Sequence, residues 1–156
     1  MVRKHPVRWI GLDVGGANLK AAAPIRVSES IVEGRAEAME FPLWKQPEKL
    51  GSALRRLIRK LGGASHVAVT MTGELADCFE TKREGVSYIA KACAEAAGDA
   101  QVAFYSVKGT FLPQSKAKSR WEELAASNWH ALGVWQARKA ASDEAGLIID
   151  VGSTTT

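Results

Sequence analysis

Apolar residues along the chain form short runs typical of strands and wider spacings typical of helices. Residues 7–13 form a β-rich apolar run, the pair Gly15 and Gly16 follows, and a second apolar run fills residues 18–23. A glycine pair between two strand-like runs predicts a β-hairpin. A third strand is predicted within residues 37–43, where prolines stop it.

The rest of the chain predicts helices and strands in alternation. Helices are predicted over residues 47–61, 82–97 and 119–141, and strands over residues 66–70, 101–106 and 147–151. The last helix is expected to break near Asn128 and to bury an apolar stripe that includes Trp121 and Trp135. This order predicts an α/β fold with a mixed sheet of about five strands, an initial hairpin and flanking helices.

Composition and charge narrow the classes of partner. The 156 residues suffice for one domain or a part of something larger, and 21 Lys and Arg against 17 Asp and Glu give a net charge of +4. The basic residues are spread along the chain, so we expect no nucleic-acid partner. No run approaches the roughly 18 apolar residues of a membrane span, so we expect no membrane partner. Cys78 and Cys93 are the only cysteines, and they show neither a metal-binding spacing nor a disulfide framework. This is typical of a protein in the reducing cytoplasm.

Two segments share a sequence pattern that can bind a ligand. In residues 10–18 and 147–155 an apolar run ends in an aspartate, one residue follows, and then come a glycine and small or hydroxylated residues. The glycine lets the backbone approach a phosphate, while amides and hydroxyls of the turn donate to its oxygens. The aspartates, Asp13 and Asp150, can hold a hydrated magnesium ion. One such turn is typical of a structural hairpin, but two predict a site for phosphate and Mg2+.

The pair of turns resembles the phosphate 1 and phosphate 2 motifs of the actin, sugar kinase and heat-shock ATPase superfamily. Residues 71–79, 84–86 and 127–129 resemble its hydantoinase/oxoprolinase branch, in particular proteins of tetrahydromethanopterin-linked C1 transfer and methanofuran biosynthesis. The resemblance implies that residues 1–145 form an N-terminal lobe of the ribonuclease H-like, actin-like ATPase fold. Residues 146–156 would then supply the first strand and phosphate 2 turn of a second lobe.

Carried over residue by residue, the resemblance also implies ligands. The implied phosphate contacts are Gly15, Gly16, Asn18, Gly152, Ser153, Thr154 and Thr155. Asp13 and Asp150 are the implied magnesium ligands, and ATP is a second candidate for the bound phosphate compound. The implied partners are a small-molecule phosphate or diphosphate and a C-terminal lobe. A second copy of the chain, giving a homo-oligomer, is a further candidate partner.

The loop after the fourth predicted strand is a second candidate site. It opens at the sheet edge where α/β proteins bind ligands, and its Thr72 and Gly73 are expected to contact substrate. Glu74 and Asp77 are paired carboxylates three positions apart, which can supply a general base or bind magnesium. The alternative for Asp77 is that it caps the following helix.

Three other features have a structural and a functional interpretation. Cys78 is interpreted as a buried structural thiol, because no neighbouring base is assigned to it. Lys82 and Arg83 either meet a phosphate or are solvated at the start of a helix. Asn128 and Trp129 either line a pocket or belong to the core.

The resemblance implies an enzyme of C1 metabolism that makes a methanofuran-type cofactor. It would join a phenolic tyramine-glutamate unit to a furanylmethyl diphosphate and release diphosphate, with Glu74 or Asp77 deprotonating or positioning the phenol. Two alternatives stay open. One is an ATP-dependent hydantoinase/oxoprolinase-like hydrolase or small-molecule kinase, and the other is a non-catalytic ligand-binding or scaffold domain.

Overall fold

A computed structural model describes residues 8–27, 32–138 and 147–149 of the chain. The strands of this part are β1 (Trp9–Val14), β2 (Asn18–Val27), β3 (Val32–Glu40), β4 (His66–Met71), β5 (Gln101–Tyr105) and β6 (Phe111–Pro113). Its α-helices are α1 (Leu50–Lys60), α2 (Lys82–Ala97), α3 (Trp121–Leu124) and α4 (Ser127–Ala137). No helix in these ranges is long and apolar enough to cross a membrane.

The strands form one mixed sheet in the order β3-β2-β1-β4-β5-β6. β1 is antiparallel to β2 and parallel to β4, while β2–β3 and β5–β6 are antiparallel pairs and β4–β5 is a parallel pair. This arrangement confirms the α/β class, the mixed sheet and the initial hairpin. The described sheet has one strand more than predicted, because β6 has only three residues and ends in Pro113, too short to leave a periodic pattern.

The third strand begins earlier than predicted. β3 spans Val32–Glu40, whereas the sequence pattern indicated residues 37–43. Its exposed positions carry charged residues such as Arg35, so the apolar signal is weak. Phe41 and Leu43 follow the strand and are buried, which explains why they looked like part of it.

Alternate residues of the strands face opposite sides of the sheet. One face is buried under α1 and α2, and its strand residues include Ile10, Leu12, Val14, Val67, Val69 and Phe104. Cys93 of α2 lies in this core, where burial raises the pKa of its thiol to about 12 and keeps it protonated. The other face, on which Asp13 lies, is more open, and α4 contacts it at β4.

The last predicted helix is two helices. The predicted break near Asn128 lies at Ala125 and Ala126 instead, and Ala126 has a left-handed φ of 51°. Trp135 was predicted to be core but is 48% exposed on α4. Residues 147–149 are exposed and lie outside any strand, so the strand predicted over 147–151 does not form at its described positions, where no strand of the described sheet pairs with them.

The close approach of α2 to the loop after β4 gives a first stability prediction. A Cβ on Gly85 would lie 2.7 Å from Glu74 Cα, whereas one on Gly133 of α4 would have no neighbour within 4 Å in the part of the chain that the structure describes. We expect Gly133→Ala to stabilise the fold by about 0.5–1 kcal/mol, because alanine is the better helix former. Gly85→Ala should instead lower the free energy of unfolding by about 1–3 kcal/mol, because the backbone at Glu74 or at Gly85 must move to admit the methyl group. Urea denaturation checks both variants, and equal stabilisation by the two would contradict the close approach.

Candidate functional site

The turn between β1 and β2 is anchored from two sides. The Gly15 N–H donates to the Asn18 carbonyl at 3.0 Å, and a Cβ on Gly15 would lie 2.9 Å from that oxygen. The carbonyls of Gly16 and Ala17 accept from Leu43 N and Phe41 N, respectively, each at 2.8 Å. Gly15 therefore serves the turn itself, and its amide is not free for a phosphate.

Two amides of the turn stay free. Among the described residues, the N–H groups of Gly16 and Ala17 have no hydrogen-bond acceptor, and a Cβ on Gly16 would meet no atom within 4 Å. Successive free N–H groups in a turn form a concavity that binds anions. This turn can therefore donate to a phosphate through Gly16 and Ala17, and the exposed Asn18 stands beside them.

Asp13 ends its strand on the open face beside this turn. Its Oδ1 accepts from Thr70 Oγ1 at 3.3 Å, and its Oδ2 lies 3.5 Å from Lys20 Nζ. The side chains of Lys20 and Asp13 are 64% and 28% exposed, so this ion pair is loose and solvated. The carboxylate therefore keeps acceptor positions for a cation.

The magnesium site stays a prediction. Within the described ranges no group of three or more His, Cys, Asp and Glu residues is placed to hold a metal ion. Magnesium usually takes only one or two carboxylates together with waters and phosphate oxygens, so the half-buried Asp13 fits that role. Asp150, Gly152, Ser153, Thr154 and Thr155 lie outside the described residues.

Four polar side chains cross the sheet in one line, which we call the polar row: Lys20, Asp13, Thr70 and Tyr105. Asp13 is the register partner of Lys20 on β2 and of Thr70 on β4. Tyr105 follows Phe104, the partner of Val69, so it lies beside Thr70 on β5. The Tyr105 hydroxyl lies 3.0 Å from His130 Nδ1 of α4.

The polar row lines a groove of about 820 Å³ on the open face of the sheet, hereafter the open-face groove. Its floor is made of small residues, among them Gly11, Ala22, Ala36, Ala38 and Ala68. Phe111, Val134 and Trp135 also line it, so it is largely apolar and aromatic. This volume and lining, with a few polar groups, are typical of a small-molecule site.

Glu74 does not line this groove. It is 2% exposed, its Oε1 accepts from the Ala126 N–H at 2.8 Å, and its Oε2 has no hydrogen-bond partner among the described residues. Burial raises the pKa of its carboxyl, although the Ala126 hydrogen bond and the charge of Lys82 act in the opposite direction. Beside it, Ser127 Oγ accepts from Met71 N at 3.3 Å. These contacts fix the start of α4, whose later residues line the groove.

The other residues of the loop after β4 have different surroundings. Thr72 donates its N–H to the Val14 carbonyl at 3.0 Å, and Gly73 is buried against Leu43 and Val14. Asp77 is exposed, and the alternative that it caps α2 is wrong.

The cap of α2 is Thr81, whose Oγ1 accepts from the Glu84 N–H at 3.1 Å. The Glu84 carboxylate in turn accepts from the Glu80 N–H at 3.0 Å. The threonine and glutamate three positions apart are a known start signal for helices, and they leave no capping role for Asp77.

The surroundings of Cys78, of Lys82 and Arg83, and of Trp129 distinguish their structural and functional interpretations. The half-buried Cys78 donates to the Leu43 carbonyl at 3.7 Å, and burial, followed by the charge of Asp77, raises the pKa of its thiol. This supports a structural thiol. Lys82 and Arg83 are exposed in the first turn of α2, as the solvated alternative expects. Trp129 is 45% exposed, so its assignment to the core is wrong.

Sequence reasoning missed Lys20, Thr70, Tyr105 and His130. Lys20 had a signal, because a tight hairpin turn fixes the register and places it opposite Asp13. Thr70 stood at the end of an apolar strand run beside the loop already singled out. Tyr105 and His130 carry no local pattern, since they are 25 positions apart and meet only through the packing of α4.

The mixed sheet places the hairpin of Asp13 beside an apolar groove on its open face. The chain belongs to the hydantoinase/oxoprolinase family, whose model matches residues 65–156. This confirms the resemblance drawn from its motifs.

One curated relative is the (4-{4-[2-(gamma-L-glutamylamino)ethyl]phenoxymethyl}furan-2-yl)methanamine synthase of Methanocaldococcus jannaschii. It is 35% identical over 150 residues, which are 94% of this chain and 41% of the relative. The chain therefore spans less than half of that relative's length.

Among solved structures, the chain is similar to Thermus thermophilus RuvC in complex with a Holliday junction substrate, with a TM-score of 0.43 and 16% identity over 81% of this chain and 79% of that one. A second Thermus thermophilus RuvC structure has a TM-score of 0.42 and 14% identity over 85% of this chain and 98% of that one.

Proposed function

We propose that the chain is the first lobe of an enzyme that builds a methanofuran-type cofactor of C1 metabolism. The enzyme joins a phenolic tyramine-glutamate unit to a furanylmethyl diphosphate and releases diphosphate. The observation that carries the proposal is the 35% identity, over 94% of this chain, to a synthase whose product name contains a phenoxymethyl furan. Because the match covers 41% of that relative, the proposed activity is assigned to the full-length protein.

The β1–β2 turn is the proposed binding site of the diphosphate. The free N–H groups of Gly16 and Ala17 donate to its oxygens, and their carbonyls are held by Phe41 and Leu43, so the turn is fixed before binding. Asp13 would hold Mg2+, which when bound offsets the negative charge of the leaving diphosphate. In this proposal Asp150, Gly152, Ser153, Thr154 and Thr155 complete the site from the second lobe.

The open-face groove is the proposed site of the aromatic parts of the substrates. Its small-residue floor admits a flat ring, and Tyr105, Phe111 and Trp135 offer aromatic contacts. A catalytic role for Glu74 or Asp77 stays a prediction, and so do the substrate contacts of Thr72 and Gly73. The surroundings of Glu74 support a positioning role, because its carboxylate holds the start of α4.

The test is product formation by the full-length protein. With Mg2+, the phenolic substrate and the furanylmethyl diphosphate, we expect an aryl ether detected by mass spectrometry, with one diphosphate released per ether. Membership of the hydantoinase/oxoprolinase family is the observation behind a second candidate, an ATP-dependent hydrolase. Consumption of ATP without ether formation would overturn the synthase and support that hydrolase or a kinase. Absence of any Mg2+-dependent binding of diphosphate or ATP in calorimetry would support a non-catalytic domain.

A further inference from the structure

We infer that Tyr105, hydrogen-bonded to His130, is the group that takes the proton from a phenol bound in the open-face groove. The inference rests on the proposed function and names a catalytic residue for it. Tyr105 touches the groove and so would touch the substrate. His130 acts through Tyr105, which makes it a positioning residue.

The tyrosine is held in a defined position. Its hydroxyl lies 3.0 Å from His130 Nδ1, and its ring centroid lies 5.3 Å from that of Phe111 in an edge-to-face contact. Both Tyr105 and His130 are half-buried. A phenolic side chain fixed by a ring and an imidazole keeps its oxygen directed at one place, as a proton acceptor requires.

The other titratable groups that line the groove are less suited to accept a proton. Lys20 and Arg138 are cationic, and Glu37 lies 3.1 Å from Lys60 Nζ in an ion pair. Asp13 accepts from Thr70 and is the proposed cation ligand. Among these described lining residues, Tyr105 is the one hydrogen-bonded to an imidazole.

The proton and electron transfers balance. The phenol O–H bond of the substrate breaks as its proton moves to Tyr105 Oη, and the former Tyr105 proton moves to His130 Nδ1 to give an imidazolium. The phenolate oxygen then forms a bond to the methylene carbon of the furanylmethyl diphosphate. The carbon–oxygen bond to the diphosphate breaks, and its electron pair leaves with the diphosphate. His130 returns its proton to water.

The distance between Asp13 and Tyr105 suits this sequence of bond changes. Asp13 and Tyr105 lie on β1 and β5, separated by β4, so at about 4.8 Å per strand their backbones are about 10 Å apart. A diphosphate at Asp13 and a phenol at Tyr105 can therefore meet over Thr70. This places the reacting carbon between the two groups.

The test compares Tyr105→Phe with Tyr88→Phe in the full-length protein. Tyr105→Phe keeps the ring contact with Phe111 but removes the oxygen, and we expect kcat to fall about 100-fold with KM for the diphosphate unchanged. Tyr88 is a partly exposed tyrosine of α2 outside the groove lining, so its variant should keep the wild-type rate. His130→Gln should also lower kcat, because glutamine can accept the hydrogen bond but cannot take the proton.

A more acidic phenol separates proton transfer from a structural effect. A ring-fluorinated substrate that is already ionised in water needs no base, so it should bring Tyr105→Phe to within about threefold of the wild type. An equal loss with both phenols, or no loss with either, would overturn the inference while leaving the synthase intact. A wild-type protein that forms no ether would instead overturn the proposed function, and this inference with it.

Discussion

Replacement of Asp13 by asparagine is expected to lower kcat of the full-length protein at least about 100-fold. Asparagine preserves the shape and can still accept from Thr70, but it lacks the charge that holds Mg2+ against the diphosphate. The fold should survive, because the contact with Lys20 is 3.5 Å long and solvated and is worth at most about 1 kcal/mol. Steady-state rates measured over a magnesium titration give the comparison.

Asp99→Asn is the matched control for this variant. Asp99 is an exposed carboxylate after α2, so its loss changes the net charge equally without touching the groove. We expect its rate to equal that of the wild type. If Asp13→Asn also reached the wild-type rate at saturating Mg2+, the assignment of Asp13 as a metal ligand would be wrong.

The second large effect concerns stability at Glu74. Glu74→Ala should lower the free energy of unfolding by about 2–4 kcal/mol, because it leaves the Ala126 N–H without an acceptor and opens a cavity in the core. Glu74→Gln keeps an acceptor oxygen and nearly the same volume, so it should lose much less. Urea denaturation at constant pH distinguishes the two variants, and equal losses would contradict the role of the hydrogen bond.

The raised pKa of the Glu74 carboxyl predicts that the stability of the protein depends on pH. Burial raises the pKa of Glu74 in the folded protein above its unfolded value of about 4.3, so the native state binds more protons between the two values. Its contribution to stability is fully present below the unfolded pKa and is lost as the pH rises through the folded pKa. The stability of Glu74→Gln relative to the wild type should therefore increase with pH over this window. Denaturation midpoints that stay a constant distance apart would show that the pKa is not raised.

Local signals predicted much of the fold. The bounds of α2, Lys82–Ala97, were predicted to the residue, because a periodic apolar face ends at Gly98, whose φ is 63°. The start of α4 was not predicted correctly, because its position depends on contacts with Glu74 and Met71, which are more than fifty residues away in the sequence. Contacts of that range leave no periodic pattern in the sequence.

In the candidate site, too, features with a local sequence signal were predicted and features set by long-range packing were not. Asp13 and the glycine turn were found because strand, aspartate and glycines are adjacent in the chain, and in the structure Asp13 lines the groove. The contacts that hold the turn could not be predicted, since Phe41 and Leu43, which donate to its carbonyls, are distant from it in the sequence. Glu74 drew attention by its place in a loop, but its burial is a property of the packed structure.

The two glycines of the turn should respond differently to substitution. Gly15→Ala places a Cβ 2.9 Å from the Asn18 carbonyl oxygen, so it should destabilise the protein. Gly16→Ala meets no atom of the described ranges within 4 Å and should leave the free energy of unfolding nearly unchanged. Any loss of binding in Gly16→Ala therefore reports on a ligand rather than on the fold.

Calorimetric titration of diphosphate into the full-length protein, with and without Mg2+, tests the central claim most directly. We predict Mg2+-dependent binding by the wild type and a Kd at least about tenfold higher for Gly16→Ala, whose methyl group would occupy the place of a phosphate oxygen. Equal affinity of Gly16→Ala and the wild type would contradict the claim that this turn holds the diphosphate.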